Sequence, residues 1–291
     1  MEKYAWLLIG ITSLLIIGAT GLEVAERALF PVWEPNPFDE PPADLGPYEV
    51  SQEDFSLDTV IREEQYDVTV FTPEDAGSSV PLFVWVMGSN VQDYYQLSLH
   101  KTLASWGYMV IIPEAPKFSF TNPVYHREVL QLAIEATKNA IAGDYGYKID
   151  EGKIAAGGYS VGASLAAFLS VKEPSVDALV YWGPSGSPYW LGVKAKELYA
   201  KVKVPALYVL GGKDDSAPPN GGYPDKMREQ MPRSNYESIV IEGGVHHYFQ
   251  QPTGSDKFSK APDISRLEQQ KIAINETRSW LNEELGIKDK G

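Results

Sequence analysis

Cysteine is absent from this 291-residue chain, and the absence removes several chemistries at once. No disulfide, thiolate-held zinc, cysteine nucleophile or S-acylated anchor is available. The compartment stays open, because a chain without thiols tolerates oxidising and reducing surroundings alike. Basic residues are also few: 25 Lys and Arg stand against 39 Asp and Glu, a formal charge of −14. Nucleic acid demands clustered Lys and Arg opposite its phosphates, and anionic lipid attracts basic segments, so neither is expected as an electrostatic partner. Internal repeats and low-complexity tracts are missing too. What is present is ordinary globular material, 44% apolar and 22% charged, in a chain long enough to bury a full core.

Only one apolar run is long enough for a membrane. Tyr4 to Leu22, 19 residues without a charge, falls within the length a helix needs to cross about 30 Å of hydrocarbon. Lys3 precedes it; Glu23, Glu26 and Arg27 follow. The preferred reading of residues 1–30 is an uncleaved N-terminal membrane anchor. A cleaved signal peptide is the alternative, with Ala19-Thr20-Gly21 a poor version of the small-x-small cleavage site, and a buried core helix is the third. Lys3 places the N-terminus in the cytoplasm and the rest outside under the positive-inside rule. Pro31, Pro35, Pro37, Pro41, Pro42 and Pro47 then exclude helix and central strand from residues 31–47. That stretch reads as a semi-extended spacer, followed by one folded domain over residues 48–291.

Within that domain, Tyr48–Leu57 and Gln65–Thr72 read as two antiparallel strands. Continuous apolar runs at Pro81–Met87, Tyr108–Ile112, Ala178–Trp182, Ala206–Leu210 and Ser238–Ile241, with a short strand at Lys153–Gly157, suit strands buried on both faces. Helical patterns cover Asp93–Trp106, Arg127–Ile141 and the small-residue segment Gly162–Val171. The last helix opens on a capping box, Ser265 with Glu268. It carries an apolar stripe of Leu267, Ile274, Leu281 and Leu285 and stops at Gly286. Strands alternating with helices predict an α/β fold, a mainly parallel sheet with helices on both faces. In such sheets, sites lie beyond the carboxyl ends of the strands.

Three strand ends carry matching chemistry. After Lys153–Gly157 comes Gly158-Tyr159-Ser160-Val161-Gly162, the G-x-S-x-G spacing that lets a serine project above the sheet on a tight strand-to-helix turn. After Ala206–Leu210 comes Gly211-Gly212-Lys213-Asp214-Asp215; a carboxylate here can hold an imidazole, with Asp214 preferred to Asp215. After Ser238–Ile241 comes Glu242-Gly243-Gly244-Val245-His246-His247. A base working near neutral pH is most often His, and of the four histidines only this pair stands at a strand end, His246 preferred. An oxyanion hole needs backbone N–H groups after the nucleophile and after an early strand, here Val161 and Ser89 in Met87-Gly88-Ser89-Asn90.

The order Ser160, Asp214, His246, together with FVWVMGSN, WGYMVIIPEAP, GGYSVGAS, VLGGKDDSAPP and IEGGVHHYF, resembles the α/β-hydrolase superfamily. Within it the chain is similar to the compact dienelactone-hydrolase-like and esterase-like group, over roughly Gln65 to Leu285. The resemblance implies Ser160 as nucleophile, Asp214 as acid and His246 as base in a serine hydrolase, first of all a carboxylesterase, with no metal or organic cofactor; the run Tyr4–Leu22 makes the expected enzyme a membrane-tethered one. Thioester, amide or peptide cleavage on the same residues is the alternative, and a non-catalytic binding domain the third reading. Two departures stand out: Met87-Gly88 replaces the His-Gly of many members, and Ser in place of Cys argues against dienelactone chemistry itself. Between Ala178–Trp182 and Ala206–Leu210 only residues 183–204 remain, 22 in all. That is room for one loop and one helix without a large cap domain, so the site is expected to be open to a small or lipid-like ester. Asn90, Tyr159, Tyr189 and Trp190, with Tyr223, are the substrate-pocket candidates.

Overall fold

A computed structural model of the protein describes residues 43–61, 64–88, 97–114, 123–185, 195–232, 236–250 and 260–288. Eight strands, β1 (Val50–Ile61), β2 (Glu64–Pro73), β3 (Val80–Val86), β4 (Met109–Pro113), β5 (Ile149–Tyr159), β6 (Ala178–Trp182), β7 (Ala206–Gly211) and β8 (Tyr236–Ile241), form one sheet. Its order is β1-β2-β4-β3-β5-β6-β7-β8. The first two strands run antiparallel to each other, and β2 is antiparallel to β4. From β4 to β8 every pairing is parallel.

Period-2 alternation divides the core. Val80, Leu82, Val84 and Val86 of β3 enter one apolar cluster, and Phe83 and Trp85 enter the other. Helices α2 (Pro123–Ala142), α3 (Val161–Lys172), α4 (Ala195–Tyr199) and α5 (Tyr223–Arg228) cover the first face. Helices α1 (Leu97–Ala104) and α6 (Arg266–Glu284) cover the second. A central strand in this arrangement has no wet side, which is why its sequence reads as an unbroken apolar run. Trp182 of β6 packs edge-on to Trp85, centroids 4.8 Å apart, and its Nε1–H donates to Thr277 of α6 at 2.9 Å. That bond fixes the height at which α6 crosses the sheet.

The expected α/β architecture with helices on both faces is present, with differences that have local causes. β5 is longer than Lys153–Gly157: Ile149 already pairs with Val80, and Gly158 and Tyr159 continue the pairing against Tyr181 and Trp182. The last strand is not a buried one. It lies at the sheet edge, where Val240 is 40% exposed, and position in the sheet, not composition, decides this. Leu267 is 39% exposed and leaves the stripe to Ile274, Leu281 and Leu285. Ser265 Oγ does accept the N–H of Glu268, 3.1 Å away, at the start of α6. α2 begins one turn earlier than expected, at Pro123, where a missing N–H costs nothing.

The end of the proline-rich stretch is part of the folded unit. Ala43 is buried, Gly46 N–H donates to Ser105 Oγ at 2.8 Å, and Tyr48 N–H to Ser105 O at 3.1 Å. The apolar run Tyr4–Leu22 lies outside the described residues. Among those described, no helix is long and apolar enough to cross a membrane. Between β6 and β7 the described residues hold one short helix, α4, with Leu198 and Tyr199 buried against the core.

Candidate active site

The G-x-S-x-G segment is shaped by its neighbours. The carbonyl of Val86, at the end of β3, stands where a Cβ on Gly162 would be, 2.1 Å from it, and a Cβ on Gly158 would fall 2.4 Å from the backbone of Gly162. No side chain fits at either position, so strand and helix meet here only through glycine. Between them Ser160 takes φ 57° and ψ −121°, a conformation that costs a non-glycine residue of order 1–3 kcal/mol and clusters at functional sites. Two backbone bonds hold it: Ser160 N–H donates to Trp182 O at 3.0 Å, and Ser160 O accepts from Ser185 N–H at 3.2 Å.

The strained turn aims the hydroxyl at the third strand end. Ser160 Oγ lies 3.1 Å from His246 Nε2, and His246 Nδ1 lies 2.8 Å from Asp214 Oδ2. The other carboxylate oxygen, Oδ1, accepts from Ser216 N–H at 2.8 Å and Ala217 N–H at 2.7 Å. Asp214 is 1% exposed and His246 5%, so this carboxylate is desolvated and fully engaged. Because Asp214 is an acceptor, the ring proton of neutral His246 sits on Nδ1. The bare lone pair of Nε2 therefore faces the Ser160 hydroxyl. Such a chain can draw a proton from the serine while the carboxylate steadies the imidazolium that forms.

Each alternative at these positions has other contacts. Asp215 is exposed and pairs with Lys260 at 2.6 Å. His247 stands edge-on to the His246 ring, centroids 5.6 Å apart. Both histidines lie in a single 3-10 turn, His246–Phe249.

Val161 is the first residue of α3, so its N–H has no acceptor within the helix and sits at the positive end of the dipole. The backbone after β3 comes to the same spot: a Cβ on Gly88 would lie 3.3 Å from that of Ser160. Ser89, Asn90, Tyr189 and Trp190 lie outside the described residues. Tyr159 is not a pocket residue. It is 2% exposed, its ring lies 4.9 Å from that of His246, and its hydroxyl donates to His246 O at 3.2 Å. Tyr223 turns its hydroxyl inward to Tyr199, 2.7 Å away, and burial raises its pKa to about 12.

Two residues escaped the sequence reading. Ser185, on the turn after β6, places its Oγ 2.7 Å from Ser160 Oγ. Gln269 of α6 grips the residue before His246: Oε1 accepts Val245 N–H at 2.9 Å and Nε2 donates to Val245 O at 2.8 Å. Serines are common in turns and glutamines in helices, so neither carries a signal of its own. Among the described residues, no group of three or more His, Asp or Glu side chains is placed to hold a metal ion.

Solved structures of low sequence identity share the fold. Est1E from Butyrivibrio proteoclasticus superposes with a TM-score of 0.60 at 13% identity, over 80% of this chain and 99% of that one. One of two fungal esterases from Rhizomucor miehei gives 0.58 at 15% identity, over 84% and 86%. A Klebsiella pneumoniae subsp. pneumoniae MGH 78578 protein, described provisionally as a dienelactone hydrolase, gives 0.59 at 17% identity, over 80% and 98%. No curated protein sequence matches the chain. The model of the dienelactone hydrolase family matches residues 66–283, from the second strand of the sheet to the end of the last helix. On the strength of that match the chain belongs to the dienelactone hydrolase family.

Proposed function

We propose that this hydrolase is a serine carboxylesterase whose nucleophile is Ser160, base His246 and orienting acid Asp214. The observation that carries the reading is the unbroken hydroxyl–imidazole–carboxylate chain, 3.1 Å and 2.8 Å long, at the strained end of β5. His246 Nε2 takes the Ser160 proton as Oγ bonds to the ester carbonyl carbon. Val161 N–H faces the oxygen that gains negative charge, and Ser89 N–H is the second donor expected from the sequence; one such donor is worth about 3 kcal/mol in the transition state. The imidazolium then protonates the departing alkoxide, leaving an acyl-enzyme. Water, deprotonated by His246, attacks the acyl carbon; the imidazolium returns the proton to Ser160 and the acid is released. Strain at Ser160 supports a functional role for this turn, because such conformations persist only where the surroundings impose them and cluster at functional sites.

The test is covalent labelling. A fluorophosphonate probe modifies Ser160 in the folded wild type, with the site mapped by mass spectrometry. Ser160→Ala keeps the melting profile and loses hydrolysis of a short p-nitrophenyl ester. A labelled residue other than Ser160, or full turnover by the variant, rejects the assignment.

The same proposal tethers the enzyme to a membrane through Tyr4–Leu22, with the catalytic domain on the extracytoplasmic side. Its support is the charge-free length of that run and the prolines that follow it. In this reading alkaline carbonate leaves the full chain in the membrane pellet, and an intact N-terminus separates an anchor from a cleaved signal.

A further inference from the structure

The hydrogen-bond bookkeeping around Ser160 gives Ser185 a role. Ser160 Oγ has one proton and two lone pairs. Its proton is directed to His246 Nε2, because Asp214 holds the ring proton on Nδ1. The 2.7 Å contact between the two serine hydroxyls therefore has one donor available, Ser185, and Ser160 accepts. The geometry is fixed on both sides. Ser185 N–H donates to Ser160 O at 3.2 Å, and Gly183 N–H anchors the start of the same turn on Val209 O at 2.9 Å. Pro184 between them restricts φ. Ser185 is partly buried, and its hydroxyl points at the reacting atom.

We infer that Ser185 is a catalytic residue of this site, a hydroxyl that donates to Ser160 Oγ whenever that oxygen carries developing negative charge. The inference rests on the esterase reading above. The charge develops twice. In acylation, Ser160 Oγ loses its proton to His246 Nε2 as it bonds to the carbonyl carbon. In deacylation, the bond from the acyl carbon to Oγ breaks, the electron pair returns to Oγ, and His246 Nε2–H supplies the proton. Ser185 keeps its own proton throughout and only donates. A hydrogen bond to an ionised oxygen is stronger than one to a neutral hydroxyl, so the contact favours the transition state over the resting enzyme. One lone pair of Oγ is engaged by Ser185, which leaves the other for the carbonyl carbon.

The measurement is steady-state hydrolysis of p-nitrophenyl acetate by wild type, Ser185→Ala and Ser185→Thr, with melting temperature alongside. Ser185→Ala lowers kcat about tenfold, about 1.4 kcal/mol of transition-state stabilisation, with KM within twofold and the melting temperature unchanged. Ser185→Thr, which keeps a hydroxyl, recovers activity to within threefold of wild type. A role in packing alone would lower the melting temperature and would not be rescued by a hydroxyl. If kcat of Ser185→Ala stays within twofold of wild type, or if folded Ser185→Thr is as slow as the alanine variant, the role is overturned. Those results leave the esterase reading intact. A wild type that neither turns over the ester nor labels at Ser160 overturns the esterase reading, and the role of Ser185 with it.

Discussion

Gln269 holds the peptide of Val245 from both sides, accepting its N–H at 2.9 Å and donating to its carbonyl at 2.8 Å. The glutamine is fully buried, so these bonds do not compete with water. Its neighbours on α6 repeat the grip further along. Arg266 Nη1 donates to the carbonyls of His247, at 2.6 Å, and Gln250, and Gln270 Nε2 donates to Gln250 O at 3.1 Å. With Tyr159 on the carbonyl of His246, side chains hold the backbone of the 3-10 turn on both flanks of the imidazole. Gln269→Leu would leave the buried N–H of Val245 unpaired, at about 1–3 kcal/mol, while its carbonyl keeps the N–H of Tyr248 at 3.3 Å. Urea unfolding should show a loss of about 1–3 kcal/mol, and kcat should fall at least tenfold as the imidazole drifts from Ser160. Stability and kcat both equal to those of wild type would show that the clamp is dispensable.

Gly183 presents a second constraint on the same ring. Its φ is +49°, and a Cβ there would sit 3.1 Å from His246 Nδ1 and 3.2 Å from Asp214 Oδ2. Both contacts are tight, and the left-handed backbone adds about 1–2 kcal/mol for any L side chain. Gly183→Ala should therefore cost activity more than stability. The expected outcome is a kcat lower by tenfold to a hundredfold with a melting temperature a few degrees down. An alanine variant of full activity would mean that ring and carboxylate give way without consequence.

The proposed nucleophile, base and acid were legible because each stands directly after an apolar run, and strand ends can be found from hydropathy alone. The glycines around Ser160 were legible for a related reason: the close approach they permit is local in sequence. Ser185 and Gln269 were not, because their meaning arises only when β6 is laid beside β5 and α6 across β8. Tyr159 was misread as a pocket residue through its adjacency to the nucleophile. Its side chain joins the cluster under α1 and α6 with Trp85, Trp182 and Phe249. β8 shows the limit of the apolar pattern. The run Ser238–Ile241 looks like its buried counterparts, and only the strand order makes it an edge.

His126, near the start of α2, is 2% exposed, and burial lowers its pKa below the ordinary imidazole value of 6.5. The unfolded chain therefore binds a proton at this position at a higher pH than the folded one. Stability from the neutral ring is complete above about 6.5 and is lost as pH falls through the lowered folded value. Thermal melts from pH 7.5 to 5 should show a decline below 6.5, and His126→Gln should flatten that part of the curve. An unchanged slope in the variant would assign the decline to other groups.

The N-terminal limit of the folded unit can be set by truncation. Trp106 Nε1–H donates to Asp44 O at 3.0 Å, Gly46 N–H to Ser105 Oγ and Tyr48 N–H to Ser105 O, all across the end of α1. Ala43 is buried in the cluster under that helix. A chain beginning at residue 41 keeps every one of these contacts, whereas one beginning at residue 49 loses three hydrogen bonds worth about 1 kcal/mol each. For a domain of this size about 3 kcal/mol corresponds to a drop of roughly 6–12 °C in Tm. The chain beginning at residue 41 should hydrolyse p-nitrophenyl acetate like the full chain. The chain beginning at residue 49 should melt earlier but keep its KM, since its losses lie at the opposite end of the sheet from Ser160. Equal melting temperatures for the two would show that residues 43–48 contribute nothing to the fold.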